Sequence, residues 1–138
     1  MIAFAPIVAR LKDAGFASVE GVLEFVALAE APRLSPALFV VPERDSAAPN
    51  RMAGVHDQRV TETFSIVLVL AGARLAGRVS DELKQHADTI VERLAGWRHP
   101  DAGGPCEYVG GRLVSTAGLR VAWAISFNSP RHIRKESQ

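Results

Sequence analysis

Residues 57–71 read DQRVTETFSIVLVLA. Alternate positions along a strand point to opposite faces, so the stretch divides into two sets. One set is Val60, Glu62, Phe64, Ile66, Leu68 and Leu70. The other is Arg59, Thr61, Thr63, Ser65, Val67 and Val69. The first half is partly polar, and the second half is apolar on both faces. This pattern predicts a strand that starts outside the core and ends inside it. The outer half of such a strand is a natural place for partner contacts.

Upstream, Ala37-Leu38-Phe39-Val40-Val41 is a short apolar run without alternation, which predicts a strand buried on both faces. Ser35-Pro36 reads as a turn before it, and Pro42 as its end. Residues 43–56, ERDSAAPNRMAGVH, read as a long polar loop. Nearer the start, Phe4, Ile7, Val8 and Leu11 follow one helix face, with Pro6 in the first turn and Gly15 as the stop. That predicts a helix over about 3–14. Phe16 to Gly21 reads as a short extended segment, and Val22 to Ala31 as a second helix ended by Pro32.

Downstream, Gly72 to Val79 reads as a loop. Ser80 reads as an N-cap, with Glu82 in the first turn beside the positive helix end. Leu83, Ala87, Ile90, Val91 and Leu94 then form one helical face, closed by Gly96. The end of the chain reads as a hairpin. Tyr108 to Thr116 is one strand, with a bulge at Gly110-Gly111. Ala117-Gly118 is the turn. Leu119 to Phe127 alternates cleanly, which predicts a strand with one buried face. Pro130 reads as its stop, and residues 131–138 as a polar, flexible tail.

The order is helix, helix, strand, strand, helix, strand, strand. Strands and helices do not strictly alternate, which points to an α+β fold. The expectation is a single domain, residues 1–138. It would hold a mixed or antiparallel sheet of about four to five strands, with two to three helices packed on it.

The 138-residue length suits one domain, and 48% hydrophobic residues suit a packed core. Sixteen basic and fifteen acidic residues leave a net charge of +1, which argues against broad nucleic-acid or membrane attraction. The single cysteine, Cys106, allows no intrachain disulfide and suits a reducing compartment. No apolar run approaches the ~18 residues needed to span a bilayer. The opening MIAFAPIVARLKDAG lacks an early basic region, so it is not expected to be a signal peptide.

Chemistry-bearing patterns are sparse. His56, His86, His99 and His132 show no i, i+3 or i, i+4 pairing, so no metal ligand set is legible. No phosphate loop and no nucleophile elbow is present. No catalytic, metal or cofactor residue is therefore expected. His56-Asp57 is the one place where an oriented base suggests itself, as the seed of a pocket in a small enzyme or ligand-binding domain. Arg131, His132, Arg134 and Lys135 form a small basic cluster that reads as a solvated tail, with a nucleic-acid module as the competing reading. Trp97 reads as core. Beside Arg98 it is also an interface-anchor candidate, since both residue types are enriched at hot spots.

The chain as a whole resembles the tail terminator proteins of long-tailed bacteriophages and related prophages. The likeness runs over roughly residues 3–130. It is carried by IVARLKDAGFASVEG, by Ser35-Pro36-Ala37-Leu38-Phe39-Val40-Val41-Pro42 and by DQRVTETFSIVLVL. The helix Asp81 to Leu94 ending in Gly96-Trp97, and Tyr108-Val109-Gly110-Gly111-Arg112-Leu113, complete it. Another neck or head-completion protein is the reading nearest to it.

The resemblance implies helices packed against a sheet. It implies a homohexameric ring that caps the tail tube, stops its polymerisation and docks the head-side connector or stopper protein. DNA passes through the lumen, and no membrane is involved. The implied location is the virion tail or neck, and the host cytoplasm during assembly. The family supplies no catalytic residues and no cofactor. A cyclic ring needs two different complementary patches per subunit. The candidate contacts are Gln58, Arg59, Thr61 and Thr63 on the strand, Arg51 on the preceding loop, and Trp97 with Arg98.

Overall fold

The computed structural model describes residues 1–21, 35–71, 78–117 and 120–136. The expected helix Val22 to Ala31, the stretch 72–77 and the turn residue Gly118 lie outside the described residues.

Helix α1 (Ala5–Asp13) is followed by strands β1 (Ser18–Gly21), β2 (Ala37–Ala47) and β3 (Val55–Ala71). Helix α2 (Val79–Leu94) and strands β4 (Glu107–Ala117) and β5 (Arg120–Glu136) complete the described elements. The strands form one mixed sheet in the order β1-β2-β3-β5-β4. β1 runs parallel to β2, and the other neighbours are antiparallel. This is the expected α+β fold, with five strands and two described helices.

Each helix presents its apolar stripe to the same face of the sheet. Ile7 and Leu11 of α1 and Ile90 and Leu94 of α2 meet Leu38, Phe64, Ile66, Leu68, Ile125 and Phe127. Phe64 and Phe127 are register partners, with ring centroids 5.7 Å apart. Pro6 sits in the first turn of α1, where its missing N–H costs nothing. Gly15 (φ 103°) and Gly96 (φ 83°) follow the two helices in the left-handed conformation that ends a helix without strain only in glycine. Asp81 and Glu82 lie in the first turn of α2. Ser80, however, is the second helical residue and not the cap. The residue preceding α2 is Arg78, and no side chain caps this end.

A second apolar cluster lies on the opposite face of the sheet. It contains Ala37, Phe39, Val67, Val69, Ala122 and Ala124. β2 is thus buried on both faces along Ala37–Val40, as its sequence predicts. β5 departs from its expected single buried face. It lies between β3 and β4, and its alanines pack beside Val67 and Val69.

Two prolines do not stop their strands. β2 continues through Pro42 to Ala47, so the expected loop 43–56 is mostly hairpin. Among the described residues, β1 flanks β2 along Ala37–Val40 and none pairs with Pro42 on that side, where a ladder would need its missing N–H. A bulge between Pro42 and Arg44 absorbs the ring. β5 likewise continues through Pro130 to Glu136, where a frayed tail was expected. β4 pairs β5 only as far as Asn128; beyond it the Pro130 carbonyl accepts the Gly103 N–H, and no ladder partner among the described residues needs the missing proline N–H. Residues 131–136 pair with Val55–Val60 instead. A bulge is present in β4 but falls at Val109, between Tyr108 and Gly110, while the expected Gly110 and Gly111 pair with Ser126 and Ile125.

Candidate assembly surface

The sheet extends into a projection that is three-stranded at its root, where β2 pairs with β3 as far as Val60, and two-stranded beyond it, where β3 pairs with β5 alone. Residues 44–47, 55–62 and 129–136 build it. Its base is anchored by Glu62, a buried carboxylate. Glu62 accepts hydrogen bonds from the Ile2 backbone N–H and from Arg131 Nε (2.7 Å), and pairs with the Met1 amine at 2.8 Å. Burial on its own pushes this carboxyl up. The hydrogen bonds from the amine, Ile2 and Arg131 outweigh burial and hold it below the usual range. Arg131 also reaches Asp45 on β2 at 3.7 Å, so one guanidinium ties all three strands.

Farther out, Asp57 accepts from His132 Nδ1 at 2.9 Å and from Arg134 Nε at 3.2 Å. The His132 hydrogen bond, with Arg134 beside it, holds the Asp57 carboxyl below its usual range. The basic cluster at 131–135 is therefore wound into a strand and partly neutralised by Glu62 and Asp57. At the tip, Asn50 Oδ1 accepts the N–H of Met52 (3.3 Å) and of Asp57 (2.9 Å). Gln58 Nε2 donates to Ala48 O, and Gly54 turns the chain at φ 82°. The tip is an ordered hairpin end that leaves Met52 (53% exposed) and Val55 facing outward.

The sequence candidates fall in two places. Arg51 is exposed on the tip, Arg59 is exposed on β3, and Gln58 and Thr61 are half-buried there. Thr63 is on the same strand but is buried, with its hydroxyl donating to Asn128 Oδ1 at 2.8 Å. Trp97 and Arg98 lie elsewhere, after α2. Trp97 packs against the main core beneath Arg10, whose guanidinium carbon is 5.4 Å from the ring centroid. Arg98 is exposed, with Nε donating to Ala102 O.

The His56–Asp57 pair does not form a catalytic couple. Both residues line a cavity of about 470 Å³ with Met52, Val55, Arg134 and Lys135, but their side chains do not bond each other. His56 Nε2 bonds Gln58 Oε1 at 2.6 Å, whereas Asp57 is occupied by His132 and Arg134. His99 is fully buried and structural, with Nε2 donating to Ala3 O and Nδ1 accepting the Asp101 N–H. His86 rests edge-on against Phe16 and 3.3 Å from Glu82. Burial pushes the Cys106 thiol up, which keeps it inert.

A second exposed apolar surface went unread in the sequence. β4 is an edge strand, and Tyr108, Val109, Leu113 and Val114 on it are exposed. Beside it runs an open groove of about 620 Å³ between α2 and the sheet. Leu83, Ala87 and Val91 form one wall, Tyr108 the other, and Trp123 with Ile125 the floor. A Cβ on Gly111 would lie 2.8 Å from Trp123 Nε1, so only glycine lets the indole lie flat there. The only signal in the sequence is the apolar side chains flanking Gly110-Gly111; that β4 has no further strand beyond it among the described residues is visible only in the sheet order.

A family model described as phage tail terminator protein matches residues 1–138, the whole chain. The chain belongs to the phage tail terminator family. It is thus a structural protein of the virion tail or neck, and it assembles with other tail or head proteins. A solved structure with the same fold is a chain from the virion of a native gene transfer agent particle. It is 12% identical, with a TM-score of 0.63, and the match covers 89% of this chain and 84% of that one. No curated protein sequence is similar enough to count as a relative. Among the described residues, no helix of this tail terminator relative is long and apolar enough to cross a membrane.

Proposed function

We propose that the chain is the subunit of a homohexameric ring that caps the tail tube and stops its polymerisation. The ring then docks the head-side connector or stopper protein and passes DNA through its lumen. It performs no catalysis. The observation that carries this reading is the family match along the entire chain. The distribution of exposed apolar groups supports it. A closed ring needs two unlike, complementary patches on each subunit. This chain exposes one on the hairpin tip and another along β4 and the groove. Arg51, Gln58, Arg59 and Thr61 are the ribbon contacts in this reading, and Trp97 with Arg98 a further one.

The test is elongation of the purified tail-tube protein with and without this chain. Growth at one tube end stops at substoichiometric amounts if the chain caps tubes. Unchanged elongation at saturating amounts overturns the capping role.

A further inference from the structure

We propose that the hairpin tip carrying Met52 and Val55 seats in the groove between α2 and β4–β5 of a second copy of this chain. The inference rests on the ring reading and names its contact.

The tip cannot fill the groove of its own chain. Tyr108 and Trp123 lie level with Phe64 and Leu68 of β3, through their register on β5. Val55 is separated from those residues by about 30–45 Å of extended strand. The two surfaces therefore meet only between copies, and they match in chemistry. Met52 and Val55 are exposed apolar side chains at the end of a hairpin whose turn is held by Asn50. The groove is open and apolar, and its rim is charged.

The charges are opposite. Beyond Val60 and Arg131, the projection carries Arg51, Arg59, Arg134 and Lys135 against Asp57 and Glu136. Helix α2 carries Asp81, Glu82, Asp88 and Glu92 against Lys84 and Arg93. Lys84 is already paired with Asp88, which leaves the groove rim with Glu92 in excess. A basic tip entering an acidic-rimmed groove is favoured during approach and fixed by apolar burial afterwards. The contact is head-to-tail, which is the kind that closes a ring when the rotation between copies is a simple fraction of a turn.

The test uses the full chain, alone and with tail tubes, and three preparations. Met52→Asp alters a side chain that the fold does not bury. Ala87→Arg fills the groove with a good helix former. A mixture of the single variants Met52→Cys and Ala87→Cys is treated with a short bismaleimide. The expected result is at least a tenfold loss of ring assembly in each of the first two, with unchanged circular dichroism and melting temperature. The mixture gives a crosslinked pair joining positions 52 and 87.

Rings formed by both variants as by the wild type, with no 52–87 crosslink, overturn the proposal and leave the ring reading standing. Rings of Met52→Asp that form but no longer cap tubes show that the tip meets the tube protein, which also overturns it. Wild-type chains that stay monomeric both alone and on tubes overturn the ring reading itself, and this contact with it.

Discussion

Arg131 Nε donates to the buried carboxylate of Glu62 at 2.7 Å, across the pairing of β5 with β3. The bond joins the last strand to the first residues of the chain through a single side chain, because Glu62 also accepts from Ile2. The projection is therefore braced at its root. A rigid root matters for an assembly arm, since a hinged arm loses more entropy when it docks.

Glu62→Gln keeps the shape and removes the charge. The variant is expected to lose about 1.5–3 kcal/mol, the usual range for hydrogen bonds to charged groups. Urea unfolding monitored by circular dichroism measures it.

The same carboxylate gives stability a pH dependence. Its folded value lies below the ordinary 4.5, so the unfolded chain takes up the proton first as pH falls. The stabilisation is complete above pH 4.5 and is lost as pH falls through the folded value. The melting temperature of the wild type should drop in that acid range, and that of Glu62→Gln should drop less. Parallel curves for the two proteins would contradict the assignment.

Gly111→Ala places a methyl group against the Trp123 indole. The ring must tilt out of the groove floor, at a cost of about 1–3 kcal/mol. A shift in tryptophan emission together with a lower melting temperature is the expected signature.

Gly96→Ala forces a side chain into the left-handed conformation at φ 83°. Nothing lies within 4 Å of the added Cβ, so the effect is backbone strain alone, about 1–2 kcal/mol. Thermal melts of the two proteins give the difference directly.

Arg59→Glu changes an exposed residue on the projecting half of β3. The monomer should keep its stability to within about 0.5 kcal/mol. Ring assembly, followed by light scattering, should weaken. Unchanged assembly removes Arg59 from the contact.

Much of the fold was legible because burial follows the pleat. The run Phe64 to Leu70 announced a central strand, and the stripe from Leu83 to Leu94 announced α2 against it. The prolines misled for one reason. Pro42 and Pro130 look like strand stops in one dimension, but among the described residues each lacks a ladder partner on one side. Sequence does not show which side of a strand is open. The same blindness hid the apolar face of β4. Tyr108 to Thr116 reads as a strand, but the exposure of Tyr108, Val109, Leu113 and Val114 follows only from the sheet order, which places their strand at an edge. Thr63 shows the opposite case. It read as a polar outward residue, but β5 brings Asn128 beside it and buries it.

Negative-stain imaging of the purified chain, mixed with its tail-tube protein, tests the central claim most directly. Sixfold rings seated on tube ends are the predicted result. Bare tube ends beside monomeric chains would contradict the account.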